Sequence, residues 1–190
     1  MPIYTNLQIK SVRENDGSVT VEIHPTEIKI SALTEKSINT PGGYKINISD
    51  DVMSGEHYAR VKLMYNDNSI GESAVRQYED EKDCYMIMSA SKGSLSASNA
   101  KECQRSLYWY SMAMQPEISK YIFGSEDPKD ANKTKEQLFD DLKKASEKFI
   151  RKVGEPINSN KYKKEATKIY KERNNGEEPR QPFAKKGINL

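Results

Sequence analysis

Apolar and polar residues alternate with period two along the first 90 positions and then change to a helical period. Val19-Thr20-Val21-Glu22-Ile23 puts one apolar and one polar face on a strand, as do Leu7 and Ile9 before it. Glu14-Asn15-Asp16-Gly17 lies between them, where residues that tolerate positive φ predict a hairpin turn. Pro25 interrupts the alternation, and Ile28, Ile30 and Ala32 resume it. Further strands are predicted at Tyr44, Ile46 and Ile48, at Ala59, Val61, Leu63 and Tyr65, and from Ile70 to Tyr78. Cys84-Tyr85-Met86-Ile87-Met88 is apolar throughout and reads as a strand covered on both faces. About seven strands joined mostly by short turns predict an antiparallel sheet or β-sandwich.

Ser96 or Ser98 is positioned to cap a helix. Ala100, Cys103, Leu107 and Met114 recur at helical spacing, and Pro116 stops the run. This predicts one packed helix over 97–115. Ile118, Tyr121, Ile122 and Phe123 form a short apolar segment that seals one end of the core. Thr134 with Gln137 makes a capping box. Leu138, Leu142, Ala145, Phe149 and Val153 then form a narrow stripe on a helix of about 134–153, ended by Gly154 and Pro156. A second helix is expected over about 160–173. Residues 174 to 190 carry no periodicity and read as an extended tail. The expected fold is α+β: a β-rich body over 1–124, then a charged helical C-terminal arm and tail over 125–190.

Composition sharpens that division. All 7 Met, the only Trp and 9 of the 11 Tyr lie before Ser125. The residues before it carry 13 basic against 16 acidic side chains, and those after it 17 against 12. Ile, Leu, Val and Phe number only 35 of 190, so Tyr and Met must supply core area, and the core is expected before Ser125. No run approaches 18 apolar residues and the start has no signal-peptide pattern, so no membrane association is expected. Two cysteines make no metal spacing or disulfide framework, which fits a cytoplasmic setting, meaning host cytoplasm or virion for a viral protein.

No catalytic or cofactor motif stands out, so no enzyme, cofactor or metal is expected. His24 and His57 read as exposed strand histidines. Asp50-Asp51 and the Glu79–Asp83 cluster fall in predicted loops and read as solvated charge, without calcium-loop spacing. Glu27-Ile28-Lys29 is too short a pattern to support a nuclease. The Ser89–Ser98 loop joins a strand to a helix and offers Lys92 to an anion, yet lacks a nucleotide-loop pattern. Tyr108-Trp109-Tyr110 reads as core or interface packing.

The arm carries the two function classes that remain. The first is a non-enzymatic structural protein that self-associates as a homo-oligomer, of a kind found in viruses and phages. Leu138, Leu142, Phe149 and Val153 would bind the partner, with Phe183, Ile188 and Leu190 as anchors in the tail. The second is a nucleic-acid-binding protein using Lys92, Lys143, Lys144, Lys161, Lys163, Lys164 and Lys168, since lysine clusters neutralise phosphates and release counterions.

Overall fold

The computed structural model describes residues 2–4, 8–13, 19–24, 30–32, 35–53, 55–77 and 85–179. The chain divides into two compact units between Thr34 and Glu35. The composition break near Ser125 falls inside the second.

The first unit holds two antiparallel strand pairs. Strand β1 (Pro2–Tyr4) pairs with β4 (Ile30–Ala32), and β2 (Gln8–Arg13) with β3 (Val19–His24). Ile9 stands opposite Ile23, and Arg13 opposite Val19. That is the pairing expected from the alternation, although the Glu14–Gly17 turn itself lies outside the described residues.

The second unit opens with five antiparallel strands in sequential order: β5 (Lys36–Thr40), β6 (Tyr44–Met53), β7 (Glu56–Tyr65), β8 (Asn68–Arg76) and β9 (Tyr85–Ala90). Strands β5 to β8 form its four-stranded centre, and β9 joins across an irregular register near Gly71. The β7–β8 turn places Asn66 and Asp67 at φ of 47° and 61°, the geometry a two-residue hairpin requires. Ile38, Ile46, Ile48, Val61, Leu63, Ile70 and Val75 are buried, whereas Lys45 and Asn39 point to solvent.

Four helices follow: α1 (Ala97–Ala113), α2 (Gln115–Phe123), α3 (Lys135–Val153) and α4 (Ser159–Arg173). Ser96 caps α1 by accepting from the Asn99 N–H at 3.2 Å. Helix α1 ends at Ala113, close to the expected stop, and Pro116 sits in the first turn of α2, which takes up the apolar segment Ile118–Phe123. A 3₁₀ turn, Pro128–Asp130, leads to α3. Helix α1 crosses the sheet over Gly71, where a Cβ would stand only 3.2 Å from Leu107 Cδ2. A side chain here would press on Leu107 and shift it by a few tenths of an ångström.

The fold is therefore α+β, but the expectation of a sheet or sandwich of about seven strands with one packed helix is corrected. Two pairs belong to the first unit, and the second has one sheet with four helices. No second sheet is required, because the apolar stripes of the helices complete the core. Trp109, Tyr110, Met112, Leu142, Phe149, Val153 and Tyr162 share one buried cluster with Ile46, Val61 and Ile70.

Candidate functional site

Helices α3 and α4 turn apolar faces to the core; the exposed side of α4 is rich in lysine, while that of α3 mixes Lys143, Lys148 and Arg151 with Glu136, Asp140, Asp141 and Glu147. The stop between them comes from Gly154, at φ 75°, followed by Pro156. Thr134 and Gln137 close a reciprocal capping box at the start of α3. At the start of α4, Asn158 makes no side-chain cap. The Glu102 carboxylate of α1 replaces it, accepting from the Ser159 N–H at 3.3 Å and from the Ser159 hydroxyl. Those bonds hold the Glu102 carboxyl below its ordinary range, the Ser159 hydroxyl foremost. At the other end, Arg173 donates to the carbonyls of Met112 and Ala113, both at 3.1 Å. Tyr162, Ala166 and Tyr170 are buried beneath α4. Helix α4 is thus fixed at both ends and along its underside.

The outer face of α4 is open. Lys161, Lys163, Lys164 and Lys168 are exposed. Asn160, Lys163, Lys164, Thr167, Lys168, Lys171 and Glu172 line one shallow surface groove. Among the described residues, Lys161, Lys164 and Lys168 have no acidic partner. Lys163 holds its ammonium 5.6 Å from the Trp109 ring centroid, a cation–π contact. Lys171 pairs with Glu178, and Glu165 is taken up by Lys152 at 3.2 Å.

The other predicted nucleic-acid residues are scattered. Lys143 is exposed on α3, as are Lys148 and Arg151. Lys144 is bonded to Asp140 at 2.8 Å, which raises its pKa. Lys92 is exposed in the loop before α1. Among the residues predicted to bind a partner, Leu138, Leu142, Phe149 and Val153 are 9%, 0%, 2% and 1% exposed. They pack inside the second unit with the sheet and α1, so the stripe is spent on the chain's own core. Phe183, Ile188 and Leu190 lie outside the described residues.

A second polar cluster escaped the sequence reading. Asp50 and Asp51 lie on β6, not in a loop. Asp50 bonds the His57 ring and takes Lys135 at 3.2 Å, while Asp51 takes Arg60 at 2.9 Å. The register sets Val52 opposite His57, so Asp50 is the diagonal neighbour of that imidazole. The only signal was the distance of seven residues across a hairpin. The Phe123 ring also packs on His57, perpendicular to it with centroids 4.9 Å apart. Each carboxylate here is neutralised by a cation, and among the described residues no nucleophile bonds the pair, so the cluster ties β6, β7 and the start of α3 together. Glu79–Asp83, Glu27-Ile28-Lys29, Cys84 and the His24 side chain lie outside the described residues.

Among the described residues, no group of three or more His, Cys, Asp or Glu side chains is placed to hold a metal ion. Cys103 is buried, and burial pushes its thiol up to about 11, so it is not poised as a nucleophile. Tyr108, Trp109 and Tyr110 are all buried. No helix among the described residues is long and apolar enough to cross a membrane. No family model, curated protein or solved structure matches the chain.

Proposed function

We propose that this chain is a non-enzymatic nucleic-acid-binding protein that grips phosphates through the outer face of α4, with α3 beside it. The observation that carries this reading is the row of exposed lysines on α4, three of which have no acidic partner among the described residues. Charges that hold the fold together find partners, as Lys152 and Lys144 do. A row left without them on a rigid helix is suited to a polyanion. A cytoplasmic setting goes with this proposal. Self-association through the arm is the weaker proposal, because four of its seven named contacts fill the core.

Fluorescence anisotropy of labelled oligonucleotides at 50 and 200 mM salt tests the reading. Four phosphate contacts by Lys161, Lys163, Lys164 and Lys168 give a log–log salt slope of about −3 to −4, a loss of about 100-fold over that range. Replacing Lys161, Lys164 and Lys168 by Glu is expected to abolish binding while the far-UV circular dichroism stays unchanged. Absence of binding at 50 mM salt, or binding indifferent to salt, overturns the proposal.

A further inference from the structure

Resting on the nucleic-acid reading above, we infer that the phosphate-binding ridge of α4 has four lysine positions and that the chain occupies the fourth, Lys171, with its own Glu178 carboxylate. Lys161, Lys164, Lys168 and Lys171 follow one another at three-four-three spacing. At about 100° and about 1.5 Å per residue, they lie within an arc of about 80° and run about 15 Å along the helix. Tyr162, Ala166 and Tyr170 mark the buried side of α4, and the centre of the lysine arc lies opposite them. The four lysines therefore make one outward ridge, a shape that a single phosphate backbone can follow. Among the described residues, the first three have no acidic partner, whereas Lys171 is paired with Glu178. Glu172 also lines this face, yet among the described residues it bonds none of the four lysines.

Local chemistry brings Glu178 back to the ridge. Beyond the end of α4 at Arg173, Asn175 and Gly176 take φ of 53° and 84°, the left-handed region that Asn and Gly enter most readily. The chain reverses there, and the Gly176 N–H donates to the Lys171 carbonyl at 2.8 Å, the closing bond of a left-handed helix stop. Glu177 and Glu178 come next, so the reversal delivers a carboxylate to the last lysine of the row. To an ammonium, a carboxylate and a phosphate are alike: each offers charged oxygens that accept its hydrogen bonds. Glu178 thus stands where a phosphate would bind Lys171. The pair is open to solvent, with side chains 41% and 70% exposed, and ion pairs of that kind are weak. Tethering keeps the carboxylate at a high local concentration, so it competes steadily with an incoming phosphate. The result is a brake on the end of the ridge that leaves Lys161, Lys164 and Lys168 open.

The test measures binding of a labelled 20-base-pair DNA duplex to the full chain and its variants by anisotropy, at several salt concentrations from 50 to 200 mM. E178Q is expected to bind about two- to five-fold more tightly at 50 mM salt, the worth of one exposed ion pair. Its log–log salt slope should steepen by about 0.9, the signature of one further phosphate contact. K171Q should bind within about two-fold of the parent, because Glu178 already occupies that lysine. K171Q/E178Q should bind no more tightly than K171Q. The double variant separates release of Lys171 from the general benefit of removing a negative charge near DNA, which would appear in both backgrounds. All of these changes are at the surface, and circular dichroism checks that each variant folds. Three results each overturn the inference and leave the phosphate-binding reading standing: E178Q binding like the parent, an equal gain in the K171Q background, or a ten-fold loss from K171Q alone. No binding by either the parent or E178Q at 50 mM salt overturns both.

Discussion

Tyr110 shows what single contacts carry in this fold. Its ring is fully buried against Phe149, and its hydroxyl lies 2.7 Å from the Ser146 hydroxyl on α3. Burial pushes the phenol well above its ordinary range, so the group stays neutral. Ser146→Ala leaves that hydroxyl without its partner, at a cost of about 1–3 kcal/mol, whereas adding Tyr110→Phe recovers part of the loss by removing the orphan. Urea unfolding of both single variants and the double variant measures the coupling, and strict additivity would refute the pair. Asp130 makes a second case, at the entrance to α3. The Ser125 hydroxyl, then Lys133 and Lys120, hold its carboxyl far below the usual carboxylate range. A depressed folded pKa means that its stabilisation is fully present above about pH 4 and drains away as acid approaches the folded value. Asp130→Asn is therefore expected to be less stable at pH 6 and to show a shallower acid limb between pH 4 and 2. Matching limbs for variant and parent would remove Asp130 from the account.

Helices α1 and α4 run parallel, which sets both macrodipoles side by side in the unfavourable sense. The direction follows from the contacts: Glu102 meets Ser159 near the two starts, and Arg173 meets Ala113 at the two ends. A carboxylate at the start and a guanidinium at the finish counter the like poles. Arg173→Met is expected to cost about 1–2 kcal/mol through the two carbonyls it deserts. Glu102→Gln should cost less, because the amide oxygen still accepts. Lying at opposite ends of a 15-residue helix, the two changes should add in a denaturant titration. Elements of this kind differ in how far the sequence announces them. The alternation at Val19–Ile23, the capping box at Thr134 and the Gly154–Pro156 stop are local chemistry, and each is where the pattern placed it. The acid–imidazole pair of Asp50 and His57 depends on strand register, and the cap that Glu102 gives α4 spans 57 residues, so neither leaves a local pattern. The stripe at Leu138–Val153 was legible as apolar, but periodicity names a buried face without naming what buries it. The lysines of α4 were legible as a cluster. Which of them face outward became visible only once Tyr162, Ala166 and Tyr170 fixed the side that faces inward.

At the scale of the whole molecule, the compositional division near Ser125 and the structural one after Thr34 make opposite predictions about truncation. A body ending at Gly124 would keep all strands, most of the aromatic residues and all of α1 and α2. It would lose Leu138, Leu142, Phe149, Ile150, Val153, Tyr162 and Tyr170 from the core. At about 1.5–3 kcal/mol for each large buried side chain, the loss is on the order of 10–20 kcal/mol. The whole stability of a domain is about 5–15 kcal/mol. Residues 1–124 are therefore expected not to fold, and to bind hydrophobic dyes. A chain of residues 35–190 keeps every residue of the described core and is expected to unfold cooperatively with its own melting transition. Trp109, the single tryptophan, lies in that core beneath the Lys163 ammonium and reports both outcomes. Its emission should stay blue in 35–190 and move to the red of water-exposed indole in 1–124. Blue emission with a cooperative melt from the 1–124 fragment would mean that α3 and α4 are appendages after all. The basic face of α4 would then belong to a separable arm, not to a helix anchored on the core.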